Sequence, residues 1–177
     1  TGLAMTRERE RGTMENLLAT PVRPFEVMAG KILPYVVIGY IQLSVILAAA
    51  WLLFEVPMVG SVLLLMAMIG LFMLANLAIG FTFSTLARNQ LQAMQMTFFF
   101  FLPSMLLSGF MFPFRGMPEW AQWIGSILPL THFLHLVRGV MLKGNTLAEL
   151  WPNMWPIVAF MAAMIALGLL VYRRTLD

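Results

Sequence analysis

The sequence predicts an all-α integral membrane protein, and three observations support this fold class. Hydrophobic residues make up 60% of the chain and charged residues only 11%, whereas a soluble domain has about a quarter charged residues. The mean hydropathy is +0.85. Four apolar stretches are long enough to cross a bilayer as helices, at roughly 32–54, 59–86, 92–112 and 152–172. We therefore expect four transmembrane helices, together with a cytoplasmic amphipathic helix and an outer re-entrant helical hairpin.

The segment before the first span is the one long polar stretch of the sequence. Its charges alternate from Arg7 to Arg11. Three apolar residues then recur at spacings of three and four, as on one face of a helix: Met14, Leu17 and Leu18. Thr13 is suited to cap this helix, Pro21 ends it, and Pro24 can begin the next one. On this pattern alone, a surface-bound or partner-bound amphipathic helix and a solvated loop are equally good interpretations.

Lys and Arg residues predict the orientation of the spans, because they favour the cytoplasmic side. With the N-terminus inside, the cytoplasmic set has eight members: Arg7, Arg9, Arg11, Arg23, Lys31, Arg88, Arg173 and Arg174. The outer set has three: Arg115, Arg138 and Lys143. Both ends of the chain, and the polar opening segment, are therefore predicted to be cytoplasmic.

The outer segment 113–151 is too apolar for an ordinary exposed loop. Pro118 can open a helix over residues 119–128, and a second helix can run from Pro129 to Lys143. Each is about half a bilayer long, so together they predict a re-entrant hairpin. Arg138 on the second helix would need a partner, for which Glu119, Glu149 and helix-end carbonyls are candidates.

Several chemistries lack their sequence signatures. The chain has no cysteine and contains neither a phosphate-binding GxxxxGK[ST] loop nor an HExxH zinc motif. His132 and His135 share a helix face, but no third metal ligand is near, so packing or hydrogen bonding is the better interpretation. The interiors of the four spans contain no Asp, Glu, Lys or His. Because ion-coupled pumps usually carry such groups at mid-membrane, transport would draw its energy from outside these spans.

At this point the chain resembles the C-terminal half of a type-2 ABC exporter permease. The resemblance rests on three features in the same order: RERERGTMENLLATPVRPFEVMAGK ahead of a span, LLSGFMFPFRGMPEWAQWIGSILPLTHFLHLVRGVMLKG on the outer side, and a last span followed directly by Tyr172-Arg173-Arg174. Members of the family usually have six spans. The resemblance therefore implies that this chain holds the loop after span two and spans three to six, and that further spans precede residue 1.

The resemblance also implies a division of the chain and roles for its residues. Residues 1–31 would form the cytoplasmic coupling-helix segment, 32–112 transmembrane helices one to three, 113–151 the outer re-entrant hairpin, and 152–177 the last transmembrane helix and a cytoplasmic tail. The residues expected to couple to an ATPase are Glu8, Arg9, Glu10, Arg11, Met14, Glu15, Leu17 and Leu18. Those expected to form an outer gate are Pro129, Thr131, His132 and Arg138.

The function implied is that of a permease subunit of an ATP-driven exporter in a bacterial inner membrane, moving a hydrophobic or amphipathic compound. Expected partners are a separate ABC ATPase subunit that binds the ATP, a second permease subunit in a homo- or heterodimer, and membrane lipids, but no nucleic acid. We expect no catalytic, cofactor-binding or metal-binding residue in this chain. A non-transporting membrane anchor or assembly protein is the alternative, and an intramembrane enzyme is a third interpretation that lacks a catalytic constellation.

Overall fold

The computed structural model describes residues 3, 6–7, 10–12 and 23–174, and helices dominate this part of the chain. The helices are α1 (Pro24–Phe54), α2 (Val62–Leu86), α3 (Gln90–Leu107), α4 (Glu119–Ile127), α5 (Pro129–Lys143) and α6 (Leu147–Arg174), with a 3₁₀ turn at Phe114–Gly116. Thr6, Arg7 and Glu10 are also helical. The all-α membrane class predicted from composition is confirmed.

Helix α1 begins earlier than the first predicted span. Pro24 occupies its first turn, and the backbone N–H of Arg23 donates to the Glu26 carboxylate at 2.9 Å. Proline and an acidic residue both favour a helix N-terminus, which explains why the helix starts at 24 and not near 32. It ends at Glu55, which takes a left-handed backbone conformation with φ 49°.

Within the described part of the chain, three helical segments are long and apolar enough to cross a membrane: Phe25–Phe54, Val62–Leu86 and Leu147–Val171. The pair α4 and α5, bent by 80° at its break, would be a further one if counted together. Helix α3 is not among them, because Gln90, Gln92 and Gln95 lower the hydropathy of its first half. It also ends at Leu107, before the predicted residue 112. Gly109, just after the helix, adopts a left-handed φ of 85°. That α3 crosses the bilayer stays a prediction.

The core lies where α2 meets α5 and α6. Leu65 of α2, Leu136 of α5 and Ile157 of α6 are fully buried in one cluster. A second cluster joins Met28 of α1 to Phe81 of α2. Small residues allow the helices to pack closely. A Cβ on Gly168 of α6, for example, would lie only 2.7 Å from the hydroxyl oxygen of Thr82.

Most of the neutral polar side chains in the spans form hydrogen bonds within their own helix. Six of them donate to the carbonyl four residues earlier in their own helix: Ser44, Asn76, Thr82, Thr85, Thr97 and Ser104. Thr82 also reaches another helix, since its hydroxyl oxygen lies 2.8 Å from the Met164 carbonyl of α6. Thr82 thus contributes to the packing of α2 against α6.

Candidate coupling segment and outer helical hairpin

The predicted coupling residues are only partly within the part of the chain that the structure describes. Glu10 and Arg11 belong to it and are exposed. The remaining six lie outside the described residues, as does the predicted helix at 13–20: Glu8, Arg9, Met14, Glu15, Leu17 and Leu18. The geometry of the opening segment is therefore described from residues 3, 6–7 and 10–12.

The beginning of the segment is attached to the end of α2. Thr6 is fully buried, and its backbone N–H donates to the hydroxyl oxygen of Ser84 at 3.2 Å. The Thr6 hydroxyl donates to the Leu3 carbonyl, also at 3.2 Å. Ser84 lies in the last turn of α2 and is itself buried. The opening segment thus packs against the same end of the helices as the α2–α3 turn.

Glu10 makes a second attachment, at the first residue of α3. The backbone N–H of Gln90 donates to one carboxylate oxygen of Glu10 at 2.8 Å, and the side-chain amide of Gln90 donates to the other. These two bonds hold the pKa of the Glu10 carboxyl below its usual range, because both favour the ionised form. A carboxylate at a helix N-terminus is also stabilised by the helix dipole.

In the hairpin that the sequence predicted to be outer, the first four residues of α5 build the elbow between α4 and α5. Pro129 is buried in the first turn of α5. The Thr131 hydroxyl donates to the Gly125 carbonyl at 2.6 Å, and the Nε2 of His132 donates to the Ser126 carbonyl at 2.7 Å. Both carbonyls lie in the last turn of α4, where helix-end carbonyls need partners from outside the helix, and that of Gly125 also accepts from the Leu128 N–H at 3.2 Å. Three of the four predicted gate residues are therefore brought together at this elbow.

His132 also connects the elbow to the last span. Its Nδ1 lies 3.3 Å from the side-chain amide oxygen of Asn153 in α6. The hydrogen-bonding role predicted for this histidine is therefore confirmed. His135, its predicted neighbour on the helix face, is exposed. Among the described residues, no group of three or more His, Asp or Glu side chains is placed to hold a metal ion.

Arg138, the fourth predicted gate residue, is placed differently. Its side chain is exposed on α5, and neither of the two carboxylates expected to pair with it does so within the described part of the chain. Glu149 instead accepts from the backbone N–H of Thr146 at 2.7 Å and from its hydroxyl at 3.1 Å. That carboxylate is thus used to cap α6. The pattern Thr-x-x-Glu at 146–149 is a capping box, and it would have placed the start of α6 correctly.

The residues that attach the hairpin to the spans had no role predicted from the sequence. The backbone N–H of Val59, between α1 and α2, donates to the Met141 carbonyl of α5 at 3.0 Å. Next to it, Gly60 lies against Val140, so closely that a Cβ would overlap the Val140 carbonyl oxygen. At the elbow, Gly125 of α4 lies equally close to the carbonyl of Leu107, the last residue of α3. In the sequence, Gly60 next to Ser61, the N-cap of α2, indicates a turn. It does not indicate which helix that turn contacts.

Comparison with known families agrees with this arrangement of an opening segment, spans and an outer hairpin. Residues 1–142 match the family described as ABC-2 type transporter. The chain belongs to the ABC-2 type transporter family. The matched region includes the opening segment, α1 to α4 and nearly all of α5. The chain is a multi-pass membrane protein, as family and fold both require.

Among relatives, the Escherichia coli K12 protein named "Probable multidrug ABC transporter permease YbhR" is 30% identical over 98% of this chain and 47% of its own length. The "Inner membrane transport permease YhhJ" of the same organism is 35% identical over 99% of this chain and 47% of its own length. "ABC transporter G family member 20" of Dictyostelium discoideum is 27% identical over 96% of this chain and 24% of its own length. The chain thus spans about half the length of these bacterial relatives. No solved structure matches it significantly.

Proposed function

We propose that this chain is the C-terminal membrane half of a permease subunit in an ATP-driven exporter of hydrophobic or amphipathic compounds. The observation that carries the proposal is the family match across residues 1–142, which spans the opening segment and the outer hairpin together. Two relatives whose names describe transport permeases support it. The apolar spans support it further, since their interiors contain no Asp, Glu, Lys or His for an ion-coupled mechanism.

The energy source in this proposal is a separate ABC ATPase subunit, docked where the opening segment meets the α2–α3 turn. The coupling helix at 13–20 would insert Met14, Leu17 and Leu18 into a groove of the ATPase. The alternating charges before it would set the register of docking. A second permease subunit would complete the transport path, and the site would face the cytoplasm of a bacterial cell.

The outer hairpin would close the far end of the path. Its elbow is rigid, because Thr131 and His132 both bind the last turn of α4. The end of α5 is held by Val59, and the last turn of α4 lies against the end of α3. A rigid body attached to α1, α2, α3 and α6 can open or close only as those helices shift. The gate would therefore follow the movement of the spans and not fluctuate independently.

Reconstitution with the ATPase tests the proposal. The full-length permease and its ATPase in lipid vesicles should hydrolyse ATP faster when an exported compound is present. Absence of stimulation across a broad panel of amphipathic compounds would favour the membrane-anchor alternative. The docking step is tested by Leu17→Asp, which should abolish co-purification of the ATPase while the permease still inserts into the membrane.

Leu147→Asp is the matched control for this docking test. Leu147 is an exposed leucine in the first turn of α6, far from the opening segment in the sequence. An aspartate is tolerated at a helix N-terminus, so the fold should be kept. This variant should retain the ATPase. If Leu17→Asp also retains it, the opening helix is not the docking element.

A further inference from the structure

We propose that the contacts of Thr6 with Ser84 and of Glu10 with Gln90 form a clasp that carries movement of the opening segment directly into α2 and α3. We call these four residues the inner clasp. The proposal rests on the proposed function, because it concerns how an ATP-driven movement below the membrane reaches the spans. It assigns Glu10 a contact within the permease, where the sequence resemblance implied a contact with the ATPase.

The opening segment is joined through the chain only to α1, and this connection by itself transmits movement poorly to α2 and α3. The opening segment continues into α1, but none of the residues in the most apolar 18-residue stretch of α1 is buried. Its buried side chains are confined to the first turns, at Val27, Met28 and Ile32. In α2 the corresponding stretch is 39% buried, and α2 carries the central core residues. Helix α1 contacts α2 through Met28 against Phe81 and through the Tyr40 hydroxyl, which donates to the Met66 carbonyl at 3.2 Å. A push on α1 would therefore reach α2 only through these few contacts.

The contact between Thr6 and Ser84 supplies a firm attachment to α2. Both residues are fully buried, and the bond joins residues 78 positions apart in the sequence. Breaking a buried hydrogen bond leaves a donor or an acceptor without water, which is costly. Thr6 is therefore held in place relative to the last turn of α2. Any displacement of the segment at this point must displace α2 with it.

The contact between Glu10 and Gln90 adds an attachment to α3. Both oxygens of the carboxylate are used, one by the backbone and one by the side chain of the same residue. Bidentate, charge-assisted bonds fix orientation as well as distance. Asn89 meanwhile caps α3, accepting from the Gln92 N–H at 2.8 Å, so the turn that presents Gln90 is itself well ordered.

The two attachments lie on either side of the short α2–α3 turn at residues 87–89. A segment held at one point can pivot, whereas a segment held at two points on two helices cannot. The inner clasp thus makes the opening segment, the end of α2 and the start of α3 move as one body. The predicted coupling helix begins at Thr13, two residues after Arg11. Movement of that helix would therefore reach α2 and α3 as well as α1.

The test breaks the clasp at its exposed, charged half. Glu10→Gln keeps the size of the side chain but replaces one acceptor oxygen by a donor that opposes the Gln90 donors. In reconstituted vesicles, transport is measured per ATP hydrolysed, so that a change in the amount of docked ATPase does not alter the ratio. We expect the amount of substrate moved per ATP to fall by about threefold or more, since bonds to charged groups are the stronger ones. Arg7→Gln is the matched control, because Arg7 is an exposed residue of the same segment. It should leave this ratio unchanged.

A crosslink provides the converse measurement. The chain contains no cysteine, so Glu10→Cys with Gln90→Cys introduces a unique pair. A short bifunctional thiol reagent, applied before the ATPase is added, should restore the transport ratio that the uncrosslinked pair has lost. If the crosslink instead blocks transport, the contact must open during the cycle, and the proposal that it carries movement is overturned.

Two further outcomes separate this proposal from the proposed function. If the unaltered protein transports and Glu10→Gln transports equally well per ATP, the inner clasp is overturned while the exporter function stands. If the unaltered protein shows no ATP-dependent transport with any compound, both are overturned together.

Discussion

Substitution of Gly60 by alanine tests how the outer hairpin is fastened to the spans. Gly60 lies between α1 and α2 and faces the end of α5. A Cβ added there would overlap the Val140 carbonyl oxygen and lie 3.0 Å from the Val140 Cγ1 and 3.1 Å from its carbonyl carbon. Two of these three atoms belong to the backbone of a helix, which cannot rotate away as a side chain can. The α1–α2 loop would have to retreat from α5.

The expected cost follows from that displacement. Forcing one extra carbon into a packed site typically costs about 1–3 kcal/mol. Retreat of the loop would also stretch the bond from the Val59 N–H to the Met141 carbonyl, now 3.0 Å, which contributes about 1 kcal/mol. We therefore expect Gly60→Ala to lower the free energy of unfolding by about 2–4 kcal/mol.

Thermal unfolding of the purified protein in detergent measures this loss. Gly116→Ala is the matched control, since a Cβ on this outer glycine would meet no atom within 4 Å. Alanine there should be neutral or slightly stabilising, by up to about 1 kcal/mol, because it restricts the unfolded chain. Equal melting temperatures for the two variants would refute the reasoning, since the close approach of Gly60 to α5 would then carry no energy.

Three other substitutions and one pH series extend these tests. Thr82→Val removes the bond to the α6 backbone and should cost about 0.6 kcal/mol and at most about 1.7 in thermal unfolding, whereas Thr97→Val, which loses only a bond within its own helix, should cost less. His132→Phe should cost about 0.5–1.5 kcal/mol by removing the bond to the exposed Ser126 carbonyl; an unchanged melting temperature would contradict the role given to the elbow. Arg138→Ala should leave stability unchanged, because Arg138 is exposed, and should impair export if it serves the gate; normal export would remove it from the gate. The contact of Glu10 with Gln90 should be fully present above pH 4.5, the usual pKa of a Glu carboxyl. It should be lost as the pH falls through the lower pKa that this carboxyl has in the folded protein. Spin labels on the opening segment should report the loss of the contact, and Glu10→Gln should show no such pH dependence.

Local signals in the sequence predicted most of the outer hairpin. Pro118 and Pro129 indicated the two helix starts, and the structure has helices at Glu119–Ile127 and Pro129–Lys143. These predictions succeed because a proline restricts its own backbone and that of its neighbour, whatever the surroundings. The start of α6 was placed too late, at Pro152, although the capping pattern at 146–149 was available as an equally local signal.

Contacts between distant residues were not predictable in the same way. Arg138 was expected to need a partner, with Glu119, Glu149 and helix-end carbonyls as candidates, but Glu149 is engaged by Thr146 and Arg138 is exposed. A charge on an apolar helix indicates that a partner is needed, but one-dimensional spacing does not say which carboxylate is already occupied. The pairing of Glu10 with Gln90, 80 positions away, had no sequence signal at all.

The sequence by itself determined the membrane class, the apolar spans and the helix starts, because hydropathy, proline and glycine act over a few neighbouring residues. Tertiary structure alone decided that the opening segment attaches to α2 and α3, that Gly60 meets α5, and that the elbow of the hairpin reaches α6 through His132. Those contacts depend on which helix faces meet, and in an apolar environment many faces are almost equally hydrophobic. The choice among them is made by close backbone approach and by a few hydrogen bonds, which only the folded arrangement brings together.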